Sequence, residues 1–295
     1  MKKFLALCLS LMMLFSCAAF AETAADMSAP TFEVGEDAAE YVVEGASGWN
    51  VVTAFVKITA GDDVLFNGPV TVTSDNLTVA EFTQAAVYEI GCGAEGIEAG
   101  FVTSIGDYVA GTDADGNYVY WANTVNGKYV PHTCTDMRVL EGYYINWDFI
   151  TYDADAGFDT ASMLPVGYAA PFEVGEDEAE YEIEGASGWN KANINMKISA
   201  GDDVLFNGVV TLTSDTLSVA EATMAAIYEV GCGQEGLEAG FVSSFGDYVA
   251  GTDADGNYVY WAYTVNGKYV PFSCDQFRLL DGDYVQWDFA TYVAE

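Results

Sequence analysis

Along the chain, runs of alternating apolar and polar residues are separated by short turn-forming clusters, and one run has helical periodicity instead. Val51 to Thr59 has the composition of a strand, Ala60-Gly61-Asp62-Asp63 reads as a turn, and Val64-Leu65-Phe66 continues in strand character. Asn67-Gly68 predicts a second hairpin turn, with a strand from Val70 to Thr73 after it. The helix signal starts at Thr78. Thr78-x-x-Glu81 has capping-box spacing, in which the hydroxyl takes one free N–H and the carboxylate reaches back to another. Val79, Phe82, Ala86 and Ile90 then share one face, and Gly91 closes the helix. Further strands are predicted over Phe101–Ile105, Tyr118–Val125, Met137–Leu140 and Tyr143–Phe149, with a turn at Asn126-Gly127.

The whole pattern occurs twice. Shifted by 140 residues, the chain overlays itself without a gap: Phe32-Glu33-Val34-Gly35-Glu36-Asp37 returns as Phe172 to Asp177, and Gly106 to Ala122 returns unchanged as Gly246 to Ala262. Ser218 and Glu221 repeat the capping box. The chain therefore divides into a repeat over residues 30–152, a linker over 153–169 and a second repeat over 170–295. Each repeat is long enough for a core of its own. One helix against a mixed sheet of about five strands predicts an α+β fold, two tandem two-layer modules of β-grasp-like form.

The N-terminus adds a compartment. Lys2 and Lys3 precede an apolar run to Phe20, and Ala19-Phe20-Ala21 forms an A-x-A site, so residues 1–21 read as a signal peptide and the product as secreted. Leu14-Phe15-Ser16-Cys17 offers an alternative, lipid anchoring to the cell envelope through Cys17. Downstream of Glu22 no run is apolar enough to be a transmembrane segment. The formal charge of the full chain is −36, and losing Lys2 and Lys3 with the leader makes it −38. A field of that sign repels phosphate backbones, which excludes nucleic acid as a partner. With 51% hydrophobic and 14% aromatic residues, the acidity belongs to a folded surface and not to a disordered chain. Cys92 and Cys134, then Cys232 and Cys274, give two cysteines per repeat, which in an exported protein predicts one disulfide within each. Each would stabilise its repeat by about 4 kcal/mol on the chain-entropy account.

Catalytic chemistry is poorly represented. The one histidine, His132, is Phe272 in the second repeat, so no general base is common to both. No glycine-rich phosphate loop and no nucleophile elbow is present, and the expectation is a protein that is not an enzyme. Asp113-Ala114-Asp115-Gly116-Asn117 hints at calcium. With Gly116 at the sixth position of an EF-hand loop, however, Gly111 and Ala122 occupy the first and last ligand positions, so the segment reads as a polar turn with at most weak calcium affinity. No metal site and no resident cofactor are expected. In Tyr118 to Asn123, Tyr118, Tyr120 and Ala122 alternate with Val119, Trp121 and Asn123; one set faces the core, and the other can offer aromatic rings to a ligand.

Tyr120-Trp121, then Val125-Asn126-Gly127-Lys128, then Leu140-Glu141-Gly142 ahead of Trp147, together with Val70-Thr71-Val72 and Thr78-Val79 upstream, resemble the transcobalamin-like C-terminal domain family. Tyr260-Trp261, Val265-Asn266-Gly267, Leu280-Asp281-Gly282-Asp283 and Trp287 carry the same likeness in the second repeat. The resemblance implies secreted or surface-borne binding modules, related to the β-domain with which animal cobalamin carriers cover one face of the corrin. It makes a corrinoid the candidate ligand and places the candidate surface at Tyr120, Trp121 and Gly142, and at Tyr260, Trp261 and Gly282. A structural or adhesive module binding glycan, protein or calcium at the cell surface is the alternative.

Overall fold

The structure, a computed structural model, describes residues 33–114, 116–152 and 170–292. The predicted signal peptide, Cys17 and the predicted linker at 153–169 lie outside the described residues.

The first repeat contains β1 (Ala39–Val42), β2 (Val51–Ala60), β3 (Asp63–Thr73), the helix Val79–Glu89, β4 (Ala94–Glu95), β5 (Ser104–Ile105), β6 (Tyr108–Val109), β7 (Gly111–Thr112), β8 (Tyr118–Val125), β9 (Lys128–Tyr129) and β10 (Tyr144–Thr151). Seven strands form one sheet in the order β1-β3-β2-β10-β8-β7, with β9 on β8, and β4-β5-β6 form a small separate sheet. β1 runs parallel to β3 and β10 parallel to β2; the other pairs are antiparallel. The second repeat has the same order.

This overturns the predicted fold class. Strand accounts for 45% and helix for 12%, in two curled half-barrel sheets of six to seven strands each, not about five strands packed two-layer fashion on one helix. The difference lies in strands that carry little pattern. β1 sits in an acidic run, and β7 and β9 are two residues long, too short to show a period. A register shift at Ile58/Thr59, repeated at Ile198/Ser199, is the bulge-like irregularity that bends a strand and helps the sheet curl. Two predicted strands shrink: Phe101–Ile105 to Ser104–Ile105, and Met137–Leu140 to a single bridge between Thr78 and Arg138.

The helix follows its sequence signals. Thr78 and Glu81 form the full capping box, and the chain leaves through Gly91 at φ +68°. Val79, Phe82 and Ala86 are fully buried against Val56, Ile58, Phe66 and Val70 of the sheet. Trp147 donates from Nε1 to Thr83 Oγ1 at 2.8 Å, and Thr83 in turn donates to the Val79 carbonyl, so the indole is tied to the helix. Trp287 and Thr223 repeat the link.

Asn126-Gly127 makes the predicted turn, with φ of +54° and +70° joining β8 to β9. Asn67-Gly68 does not. Both residues lie inside β3, and the glycine serves a close approach: a Cβ on Gly68 would sit 1.7 Å from the Asp37 carbonyl oxygen. Asn67 donates its backbone N–H to the Asp37 carboxylate and its side-chain amide to the Glu33 carbonyl, which pins the incoming segment. Gly208 and Asp177 show the same 1.7 Å approach. Gly68→Ala is therefore expected to cost about 2–3 kcal/mol through displaced backbone, measurable as a lower urea midpoint at unchanged slope.

Candidate ligand-binding face

The alternation of β10 decides which way each side chain points. Trp147 reaches the helix, so Tyr144, Asn146 and Asp148 face the other way. β8 pairs antiparallel with β10, Ala122 opposite Asp148 and Tyr120 opposite Ile150, which puts Tyr118 and Tyr120 on this outer face. Trp121 points inward: it is 6% exposed, donates Nε1 to the Tyr108 carbonyl at 3.1 Å, and packs on Phe149. Trp261 does the same with Tyr248 and Phe289.

The outer face carries a band of tyrosines. Tyr118 and Tyr120 are stacked with centroids 6.2 Å apart, and Tyr152 meets Tyr120 at 6.5 Å. Tyr258 and Tyr260 stack at 6.1 Å. Burial raises the pKa of Tyr120, helped by neighbouring Tyr129 and Tyr152; burial and Tyr292 do the same for Tyr260. Both phenols are neutral hydrogen-bonding groups at physiological pH. Beside the band, Asp148 accepts from Thr59 Oγ1 and Asn146 Nδ2, and Asp288 accepts from Ser199 Oγ at 3.1 Å and Gln286 Nε2 at 2.8 Å.

Gly142 and Gly282 lie elsewhere. Tyr144 and Ile150 are six residues apart on β10, so Tyr120, opposite Ile150, is about 20 Å from the Gly142 turn. That turn belongs to a junction between the repeats. Lys268 Nζ donates to the Glu141 carbonyl beside Gly142, and Lys128 Nζ lies 2.8 Å from Asp283 Oδ1 beside Gly282. Asn266 reaches the Tyr143 hydroxyl at 3.5 Å, and Arg138 lies over the Phe272 ring. Of the sequence-predicted surface, then, Tyr120 and Tyr260 face outward, Trp121 and Trp261 are core, and Gly142 and Gly282 meet the other repeat.

The calcium-like segment is a hairpin turn. Asp113 takes the Asn117 N–H at 2.8 Å and its side-chain amide at 3.1 Å, and Asp253 and Asn257 repeat this. Among the described residues no group of three or more His, Cys, Asp or Glu is placed to hold a metal ion.

Cys92, Cys134, Cys232 and Cys274 are free cysteines, so the predicted bonds between Cys92 and Cys134 and between Cys232 and Cys274 are not formed in this structure. Cys134 and Cys274 are buried, their thiols turned to the carbonyls of Ile97 and Gly240. Burial pushes their pKa up to about 11 and about 12. Burial raises the Cys92 and Cys232 thiols as well, but both are only half-buried and within reach of solvent, so a neutral-pH alkylating agent is expected to label them and to spare the other two. Mass spectrometry of tryptic peptides reads the result. Four unreactive cysteines released only by a reductant would instead establish the disulfides.

The family described as "Domain of unknown function (DUF4430)" matches residues 76–151 and again 216–291. The chain belongs to this family. It holds two DUF4430 domains in tandem, each match running from the turn before the helix through the last strand of the sheet. A crystal structure from Ruminococcus gnavus ATCC 29149, provisionally described as a metal-binding protein, is similar at 22% identity and a TM-score of 0.27, over 35% of this chain and 99% of that one. No curated protein matches the chain.

One pair of exposed residues escaped the sequence reading. Trp49 and Trp189 precede the second strand of each repeat, upstream of the DUF4430 matches. The signal that could have found them is the identical segment Glu44 to Asn50 and Glu184 to Asn190.

Proposed function

We propose that the protein is an exported, non-enzymatic binding protein that uses the tyrosine face of each DUF4430 domain to hold a ring-bearing ligand. The observation that supports this best is the stacked pair Tyr118–Tyr120, recurring as Tyr258–Tyr260, on the sheet face turned away from the helix. Exposures of 54% for Tyr118 and 40% for Tyr258 leave the outer ring of each pair open to a planar partner. A ring on one such side chain gains about 1 kcal/mol, so a single domain binds weakly, and two linked domains gain through effective concentration where both reach the ligand. The resemblance to transcobalamin-like domains names a corrinoid as the small molecule to test first. Equilibrium dialysis of the full chain against cobalamin and against cobinamide is expected to show retention of at least one; retention of neither refutes a corrinoid.

The second reading, an adhesive module at the cell surface, draws on the shape of the molecule. Two hollows, of about 430 and 350 Å³, run beside the first helix at Gln84, Ile97 and Glu98, away from Tyr118 and Tyr120. A sheet face lined with exposed aromatic rings also suits an extended glycan or a protein.

A further inference from the structure

Each repeat has one tryptophan that its core does not use. Trp121, Trp147, Trp261 and Trp287 are buried, whereas Trp49 is 64% and Trp189 is 89% exposed. Both stand in the loop that carries the chain from the first strand past the end of the third and into the second.

That loop is built to hold one shape. Gly45 and Gly48 adopt φ of +83° and +79°, values that other residues rarely reach. Asp75 accepts the Ser47 N–H at 3.1 Å and the Ser47 hydroxyl, and Ser47 Oγ accepts the Trp49 N–H at 3.4 Å. The Val43 N–H to Thr73 carbonyl bond and the Ser74 N–H to Asn50 carbonyl bond close both ends. Asp215, Ser187 and Trp189 reproduce the network. The crossing explains the backbone but not the indole, which among the described residues nothing covers to the extent seen for the four core tryptophans. Around the loop the repeats differ: Val42 is Glu182, Val51 is Lys191 and Thr53 is Asn193. A Cβ added at Gly45 or Gly48 would meet nothing within 4 Å, so space beside the loop is open.

We propose that the two loops are a neutral-polysaccharide site, each indole stacking on the C–H face of a pyranose ring. Three features select this partner. Glu44 and Ser47 of the loop, with Asp75 and Asn76 beside it, are exposed and polar, and the exposed valines at its two ends, Val42 and Val51, are Glu182 and Lys191 in the second repeat. An apolar protein pocket would strip water from the polar groups uncompensated, whereas sugar hydroxyls can bond them. A formal charge of −36 opposes acidic polymers. Two like sites on one chain suit a polymer that repeats its unit, because binding the second site is then intramolecular. A backbone already fixed in one shape limits the freedom lost on binding.

The test is affinity electrophoresis of the full chain through gels containing hydroxyethyl cellulose, arabinoxylan, galactomannan or soluble starch, with acrylamide quenching of tryptophan fluorescence in parallel. At least one polymer is expected to retard the protein and to shield the two exposed tryptophans. Trp49→Ala with Trp189→Ala should abolish retardation at an unchanged melting temperature, and either single change should weaken it by about 10²-fold through lost avidity. Trp49→Phe with Trp189→Phe should restore part of it. Tyr88→Ala with Tyr228→Ala, exposed tyrosines on the two helices, should leave it intact, which separates loss of the indoles from loss of exposed aromatic surface in general. Absence of retardation and shielding by all four polymers, or equal retardation of the Trp→Ala double variant, would each overturn the proposal.

Discussion

Replacing Phe82 with alanine is expected to destabilise the first repeat by about 3–5 kcal/mol, and adding Ile105→Phe is expected to recover most of that loss. Phe82 is fully buried on the helix, and its counterpart is Ala222. The second repeat compensates from the small sheet: Ile105, also fully buried, is matched by Phe245, whose ring lies 4.7 Å from Trp261 and 5.6 Å from Trp287. Trp287 is tied to Thr223, next to Ala222. The same part of the core is thus filled from the helix in one repeat and from the sheet in the other. Volume-conserving exchanges cost little, whereas a lone truncation leaves a cavity. Urea unfolding of residues 30–152 carrying Phe82→Ala, Ile105→Phe or both measures the coupling. A double variant no more stable than Phe82→Ala would show that the two side chains fill separate spaces.

Asp283→Ala is expected to cost about 3–5 kcal/mol, with the loss falling on the second repeat and the junction. Asp283 is 3% exposed and accepts three bonds: from Lys128 Nζ at 2.8 Å, Asn266 Nδ2 at 3.1 Å and the Leu280 N–H at 2.8 Å. Removing the carboxylate takes the anionic partner at 2.8 Å from a largely buried ammonium and the acceptor from two further donors, which is costlier than never having had the pair. The repeats are not interchangeable here, because Tyr143 stands where Asp283 would be and Lys268 lies 5.9 Å from its ring. Calorimetry of the full chain should show the second repeat melting below the first in the variant. Asp255→Ala, in an exposed turn, should change stability by less than about 0.5 kcal/mol. An unchanged melt for Asp283→Ala would mean that the ion pair is not formed in solution.

Local signals were legible where local geometry suffices. Thr78 and Glu81 specify a cap within three residues, and Asn126-Gly127 specifies a turn, so both are found where the sequence puts them. Asn67-Gly68 carries the same letters and fails, because its glycine answers to Asp37, far back in the sequence and invisible to any short window. Alternation in Tyr118 to Val125 announces a strand but not which face is inward; the bond from Trp147 to Thr83 decides that, and with it the assignment of Trp121 to the core. The Gly142 and Gly282 turns read as free surface until the other repeat is set against them. The exposed tryptophans were hidden differently: as a residue type tryptophan suggests core, and only the fold shows that the loop leaves it in water.

The binding role of the tyrosine faces is tested most directly by titrating cobalamin and cobinamide into the full chain and into Tyr120→Ala with Tyr260→Ala, followed by visible absorbance with a thermal melt of each protein. The account predicts a saturable change in the corrin bands for the parent protein. It predicts none for the variant, at a melting temperature within a few degrees of the parent because neither ring is fully buried. A variant that stays folded and titrates like the parent, or a parent that leaves both spectra unchanged, would contradict it.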